Sequence, residues 1–92
     1  MNVLKTMVSD LIRLNDDVYS NFDHVLDIDV VNQLKQGGYF SAHVAWDFVG
    51  YVYFYENKWH EEIWVYGIPM ETLSGDSIKD VANKANKKYG SR

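Results

Sequence analysis

Three histidines, thirteen carboxylate side chains and no cysteine set the chemistry that this 92-residue chain can attempt. Without cysteine there is no thiolate nucleophile, no disulfide framework and no thiolate-bound zinc. His24, His43 and His60 stand far apart, and no two have the i, i+4 spacing that puts two ligands on one helix face. Glu61 and Glu62 are adjacent, so on a strand they point to opposite faces and cannot work as an acid–base pair. No glycine-rich phosphate loop, nucleophile elbow or HExxH string occurs. One arrangement stays open: His43, His60 and Glu62 can share a sheet face, where convergence would allow metal binding or proton exchange. Otherwise the expectation is a protein that is not an enzyme, with no catalytic residue, no metal and no cofactor.

The elements that would position these groups follow from hydrophobic periodicity. Leu4, Met7, Val8, Leu11, Ile12 and Leu14 recur at three- and four-residue spacing, which predicts an amphipathic helix with Asn2 as a cap. The spacing continues through Val18, Phe22, Val25 and Leu26, so the polar stretch Asn15, Asp16, Asp17 is either a break or the wet face of one longer helix. Asp29 is placed to cap a short helix containing Val30, Val31 and Leu34, and Gly37 with Gly38 stop it.

From Tyr39 the period changes to two, and the runs 51–55 and 59–68 are equally rich in aromatic and β-branched residues. Three strands joined by short turns make an antiparallel meander. Pro69 ends the third or carries the chain onto an edge strand, where a missing donor is tolerated. A last helix, capped by Asp76 or Ser77 and ended by Gly90, aligns Ile78, Val81, Ala82, Ala85 and Tyr89 on one face.

Turn chemistry sets the expected register. Reading 47–50 as a type I turn followed by a left-handed glycine places Trp46 opposite Val52, and reading Asn57-Lys58 as the next loop places Val52 opposite Ile63 and Phe54 opposite Glu61. One face then holds Phe40, Ala42, Val44, Trp46, Val52, Phe54, Ile63 and Val65. Glu61 falls on that apolar face, which calls for a solvated strand end there or a one-residue slip. The other face holds Tyr39, Ser41, His43, Tyr51, Tyr53, Tyr55, His60, Glu62, Trp64 and Tyr66. Three readings of it remain open: a second small core under an N-terminal helix, an exposed recognition surface, or a platform for base stacking.

Charge bears on partners. Residues 1–76 carry 12 acids and 4 bases, whereas residues 77–92 carry 5 bases and 1 acid, so an acidic body ends in a basic segment. The formal charge of -4 argues against a general duplex-DNA binder. Asp16, Asp17, Asp23, Asp27 and Asp29 can present a carboxylate surface that competes with nucleic acid for a partner's basic groove, or can simply solvate the chain. Lys79, Lys84, Lys87, Lys88 and Arg92 fit a solvated helix end or an anion site. No run approaches membrane-spanning length and residues 1–10 lack a signal-peptide core, so the expected location is the cytoplasm, with no membrane partner.

The string Gly37-Gly38-Tyr39-Phe40, the stretch Val44-Ala45-Trp46-Asp47-Phe48 followed by Gly50, the segment Glu61-Glu62-Ile63-Trp64 with Tyr66, and the ending Asn86-Lys87-Lys88-Tyr89-Gly90 resemble small phage and prophage proteins of Gram-positive bacteria. That resemblance, over roughly residues 29–90, implies a phage accessory role inside a bacterial host. Stand-alone acidic proteins of this size in that class resemble anti-CRISPR proteins, which act by occupying a protein surface.

The expectation is a single α+β domain over 1–92: N-terminal helices, a three-stranded antiparallel sheet with a fourth edge strand possible, and a C-terminal helix on its apolar face. The expected function is non-catalytic inhibition of a host-defence protein, with a CRISPR effector nuclease as leading target. The expected contacts are Asp16, Asp17, Asp23, Asp27, Asp29, Tyr53, Tyr55, Glu62 and Trp64. The competing reading is a single-strand nucleic-acid binder using the sheet aromatics and the basic helix. A homodimer through the ring-rich face or an open edge is compatible with so thin a core.

Overall fold

Alternating side chains on four consecutive strands build the centre of the molecule. The computed structural model describes residues 11–13, 28–45 and 47–90. In chain order these form β1 (Ile12–Arg13), α1 (Ile28–Lys35), β2 (Gly38–Ala45), β3 (Phe48–Tyr55), β4 (Lys58–Val65), β5 (Ile68–Gly75) and α2 (Ile78–Tyr89). Strands β2 to β5 pair antiparallel in sequence order, and β1 adds two residues in parallel to β2, with Ile12 beside Gly38. The fold is α+β, with four antiparallel strands: the three expected and the fourth edge strand that stood beside them as an alternative.

The stretch 59–68 is not one strand. Tyr66 and Gly67 both have positive φ, 51° and 75°, and turn the chain back into β5. Among the described residues this strand is an edge, which is how Pro69 is tolerated within it. The helix expected through Leu11 and Ile12 is also corrected: Ile12 and Arg13 are extended, because the start of β2 offers an unpaired edge and takes them as a short parallel strand. The rest of the expected N-terminal helical region, with Asp16, Asp17, Asp23 and Asp27, lies outside the described residues, as do Trp46 and Arg92. Asp29 is the second residue of α1 rather than its cap.

Both hairpin registers differ from expectation by an even number of residues. Phe40, not Trp46, lies opposite Val52, because the chain turns around position 47 and Phe48 already belongs to β3. A bulge between His43 and Ala45 absorbs the tighter turn. The β3–β4 loop is Glu56-Asn57, with φ of 51° and 65°, as a type I′ turn requires at both central positions. Val52 therefore faces Glu61 and Phe54 faces Trp59. Since strand side chains repeat every two residues, even shifts keep the residues between the bulge and the turns on the faces expected of them, while Tyr66 leaves the ring-bearing face for the β4–β5 turn.

Leu34, Phe40, Ala42, Val52, Trp59 and Val81 form the buried core, with Val31, Phe54 and Ile78 packed against it. It lies between the apolar sheet face and the two helices. Gly37, at φ 113°, makes the left-handed exit from α1. Ser77 caps α2 by accepting from the Asp80 N–H at 3.0 Å, and Val81, Ala82 and Ala85 are its buried residues. Among the described residues, no helix is long and apolar enough to cross a membrane.

Candidate functional site

The ring-bearing face is assembled by β3, β4 and β5. Tyr53 lies opposite His60, which lies opposite Ser74; one step along, Tyr51, Glu62 and Thr72 line up in the same way. The His60 ring stacks on Tyr53 with centroids 5.3 Å apart and 27° between planes. Its Nδ1 meets the Ser74 hydroxyl at 2.7 Å and its Nε2 meets the Tyr55 carbonyl at 3.0 Å. A carbonyl only accepts, so Nε2 carries a proton, and in the neutral ring Nδ1 accepts from Ser74. Both ring nitrogens are thus occupied by the sheet itself.

Trp64 Nε1 donates to Glu62 Oε1 at 3.1 Å. The Tyr53 hydroxyl donates to the same carboxylate and is hydrogen-bonded to Thr72. Burial, and after it the charge of Glu62, push the Tyr53 hydroxyl above the usual tyrosine range, so it stays a neutral donor. Tyr39, Tyr51 and Trp64 continue the face as an edge-to-face ladder with spacings of 5.8 and 5.5 Å. Tyr53→Phe is expected to cost about 1–2 kcal/mol in urea unfolding, because Glu62 and Thr72 each lose a buried partner.

The fold therefore brings Tyr53, Glu62 and Trp64 together in one hydrogen-bonded cluster. Tyr53 and Glu62 are buried, Trp64 is half-buried, and Tyr55, at the end of β3, is 42% exposed. Of the contacts expected on this face, Tyr55 and Trp64 are the ones with accessible surface. Asp29 lies on α1, which packs against β2 and β3.

The His43, His60, Glu62 arrangement does not assemble along the sheet. His43 is opposite Val49, which is opposite Trp64, so its backbone is two strands across and four residues along from His60. Among the described residues there is no group of three or more His, Asp or Glu able to hold a metal ion.

A second surface was not legible from alternation. Tyr66 is 78% exposed, Ile68 61% and Met70 49%, and all three lie on the β4–β5 turn and the first half of edge strand β5. The Tyr66 hydroxyl donates to Asp47 Oδ2 at 2.5 Å, which ties this turn to the β2–β3 turn at the same end of the sheet. That contact raises the Tyr66 pKa, the hydrogen bond to Asp47 leading. Gly67, followed by Pro69, was the available signal for the extra turn.

On the other face, one residue breaks the apolar pattern. Glu61 is 0% exposed, and neither carboxyl oxygen has a hydrogen-bond partner among the described residues. Its side chain lies across Gly50, where a β-carbon would stand 1.9 Å from Oε2. Burial alone pushes its pKa from 4.5 up to about 8. Comparison with known proteins found no matching family model, no matching curated protein and no matching solved structure.

Proposed function

We propose that this chain is a non-catalytic protein-binding inhibitor, encoded by a phage and directed at a host-defence protein, with a CRISPR effector nuclease as leading target. The observation that supports binding through a surface is the exposed apolar strip of Tyr66, Ile68 and Met70, set beside the Asp47 carboxylate. Large exposed side chains gathered at one corner are what a partner buries, and Tyr and Met are enriched at such interfaces. The resemblance of residues 29–90 to phage proteins supports the choice of partner.

The engagement of His60 by Ser74 and Tyr55 favours binding over a reaction at that histidine. On the basic helix, Lys84 pairs with Asp80 at 3.5 Å and Lys88 with Glu71 at 2.7 Å. This pairing lowers the net positive charge offered to phosphates, which favours a protein partner over a nucleic acid.

The test is pulldown of the tagged protein from lysate of a CRISPR-bearing Gram-positive host, with and without nuclease treatment, followed by binding to the purified effector. Ile68→Asp combined with Met70→Asp is expected to change stability by no more than about 0.5 kcal/mol per site, since both side chains face solvent. The same pair is expected to weaken effector binding at least about tenfold, as charges buried in an apolar contact do. Enrichment that disappears with nuclease treatment, with a steep salt dependence of single-strand binding, would replace this reading with the nucleic-acid one.

A further inference from the structure

Glu61 is a buried carboxyl group on the helix-covered face of the sheet, with no hydrogen-bond partner among the described residues. It projects from β4 on the apolar face, opposite Val52 of β3 and Leu73 of β5. Helix α2 packs over β4 and β5 on this side, presenting Val81, Ala82 and Ala85. The space for the carboxyl comes from Gly50, the one position of β3 where a side chain would collide with it.

Ionised groups facing this side sit at its rim and are engaged elsewhere. From α2, Lys84 reaches the Ser74 carbonyl at 2.6 Å and the Asp80 carboxylate, and Lys88 reaches Glu71. From β5, Glu71 also accepts from the Tyr89 hydroxyl. From α1, Lys35 lies over the Phe54 ring at 5.4 Å. Apart from Glu61 itself, the described side chains of β2, β3 and β4 on this face bring no titratable group, and His60 points to the opposite face. Among the described residues nothing compensates a charge on Glu61, so ionisation requires water, and water requires that a covering element move.

We propose that α2 is a proton-dependent latch: it closes on the sheet over protonated Glu61, and release of that proton to solvent accompanies lifting of the helix. The helix suits this role because it follows the last strand, so lifting it breaks no strand pairing. Two of its three buried residues are alanines, which contribute little apolar area to docking. The direction follows from linkage. In the lifted form the carboxyl meets water and titrates in the ordinary range, while in the closed form it holds its proton to higher pH. The lifted-to-closed ratio therefore grows about tenfold per pH unit through the interval between the two, then levels off.

Amide hydrogen exchange of the full chain from pH 5 to 9, corrected for intrinsic rates, tests this. Protection of α2 amides is expected to fall about tenfold per pH unit up to about pH 8 and then plateau, with β3 and β4 amides better protected throughout. Glu61→Met, which leaves an apolar side chain in the same space, is expected to remove the slope. A wild-type α2 protection independent of pH overturns the proposal, as does an unchanged slope in Glu61→Met. Equal protection of α2 and of β3–β4 amides overturns the local latch, since both would then exchange only through opening of the whole domain. Carboxyl-carbon NMR of Glu61 in the wild type reads the same proton directly, and an ordinary titration there also overturns it.

Discussion

Glu61→Met is expected to raise the unfolding free energy at pH 7 by about 2–4 kcal/mol, an uncommon size and direction for a core substitution. The folded protein holds a proton on this carboxyl up to about pH 8, while the unfolded chain releases it near 4.5. Between these values the native state binds the extra proton, so stability falls as pH rises, by about 1.4 kcal/mol per unit at the limit. The contribution is fully present below pH 4.5 and is lost as pH climbs through about 8. Methionine has no proton to lose, and its unbranched chain follows the same path across Gly50. Urea unfolding at pH 5, 7 and 9 should show the variant's advantage growing with pH. Equal stabilities at all three pH values would mean that the carboxyl is solvated or paired.

Gly50→Ala is expected to destabilise the domain by about 1–3 kcal/mol, although alanine normally suits a strand interior better than glycine. The new methyl would stand 1.9 Å from Glu61 Oε2 and 2.7 Å from its Cδ, so the carboxyl must leave its place. With Glu61 fully buried, no open volume receives it. The cost should shrink sharply when Glu61 is also replaced by alanine. A double-mutant cycle measured by denaturant unfolding is therefore expected to give a coupling energy of about 1 kcal/mol or more. Additive effects would show that Gly50 serves the strand for another reason.

The faces of the sheet were readable and the turns were not, and the difference is physical. Alternation reports which side a residue occupies, and that survived shifts of six residues at Val52 and two residues at Phe54 because both are even. Position along the partner strand depends on turns, and here the turn signals misled. Asp47 and Gly50 look like the start and end of a hairpin loop, yet Gly50 is a strand residue whose missing side chain makes room for a carboxyl two strand positions away. Glu56 holds a positive φ that its type does not favour, so the loop sits one residue earlier than Asn57-Lys58 suggests. Asn57 still occupies a left-handed position, as its side chain permits.

The candidate site was legible in the same partial way. Tyr53, Glu62 and Trp64 share a face because they share a parity, and register then decides that they bond to one another. Burial was not readable from parity, so two residues expected as contacts are enclosed while Ile68 and Met70 were passed over. Glu61 was visible as an exception to the pattern. Neither a solvated strand end nor a one-residue slip accounts for it: the register moves by two and the carboxyl stays inside.

Strand β5 also governs how copies of this chain meet. Pro69 offers no N–H to a neighbouring ladder, and Lys84 already occupies the Ser74 carbonyl toward the other end of the strand. A new strand laid along this edge would find its backbone pairing interrupted twice within eight residues. Fibre-like propagation from β5 is thereby discouraged in a protein that leaves large apolar side chains in water beside it. A partner of the kind proposed would have to recognise the side chains along this edge and not extend the sheet.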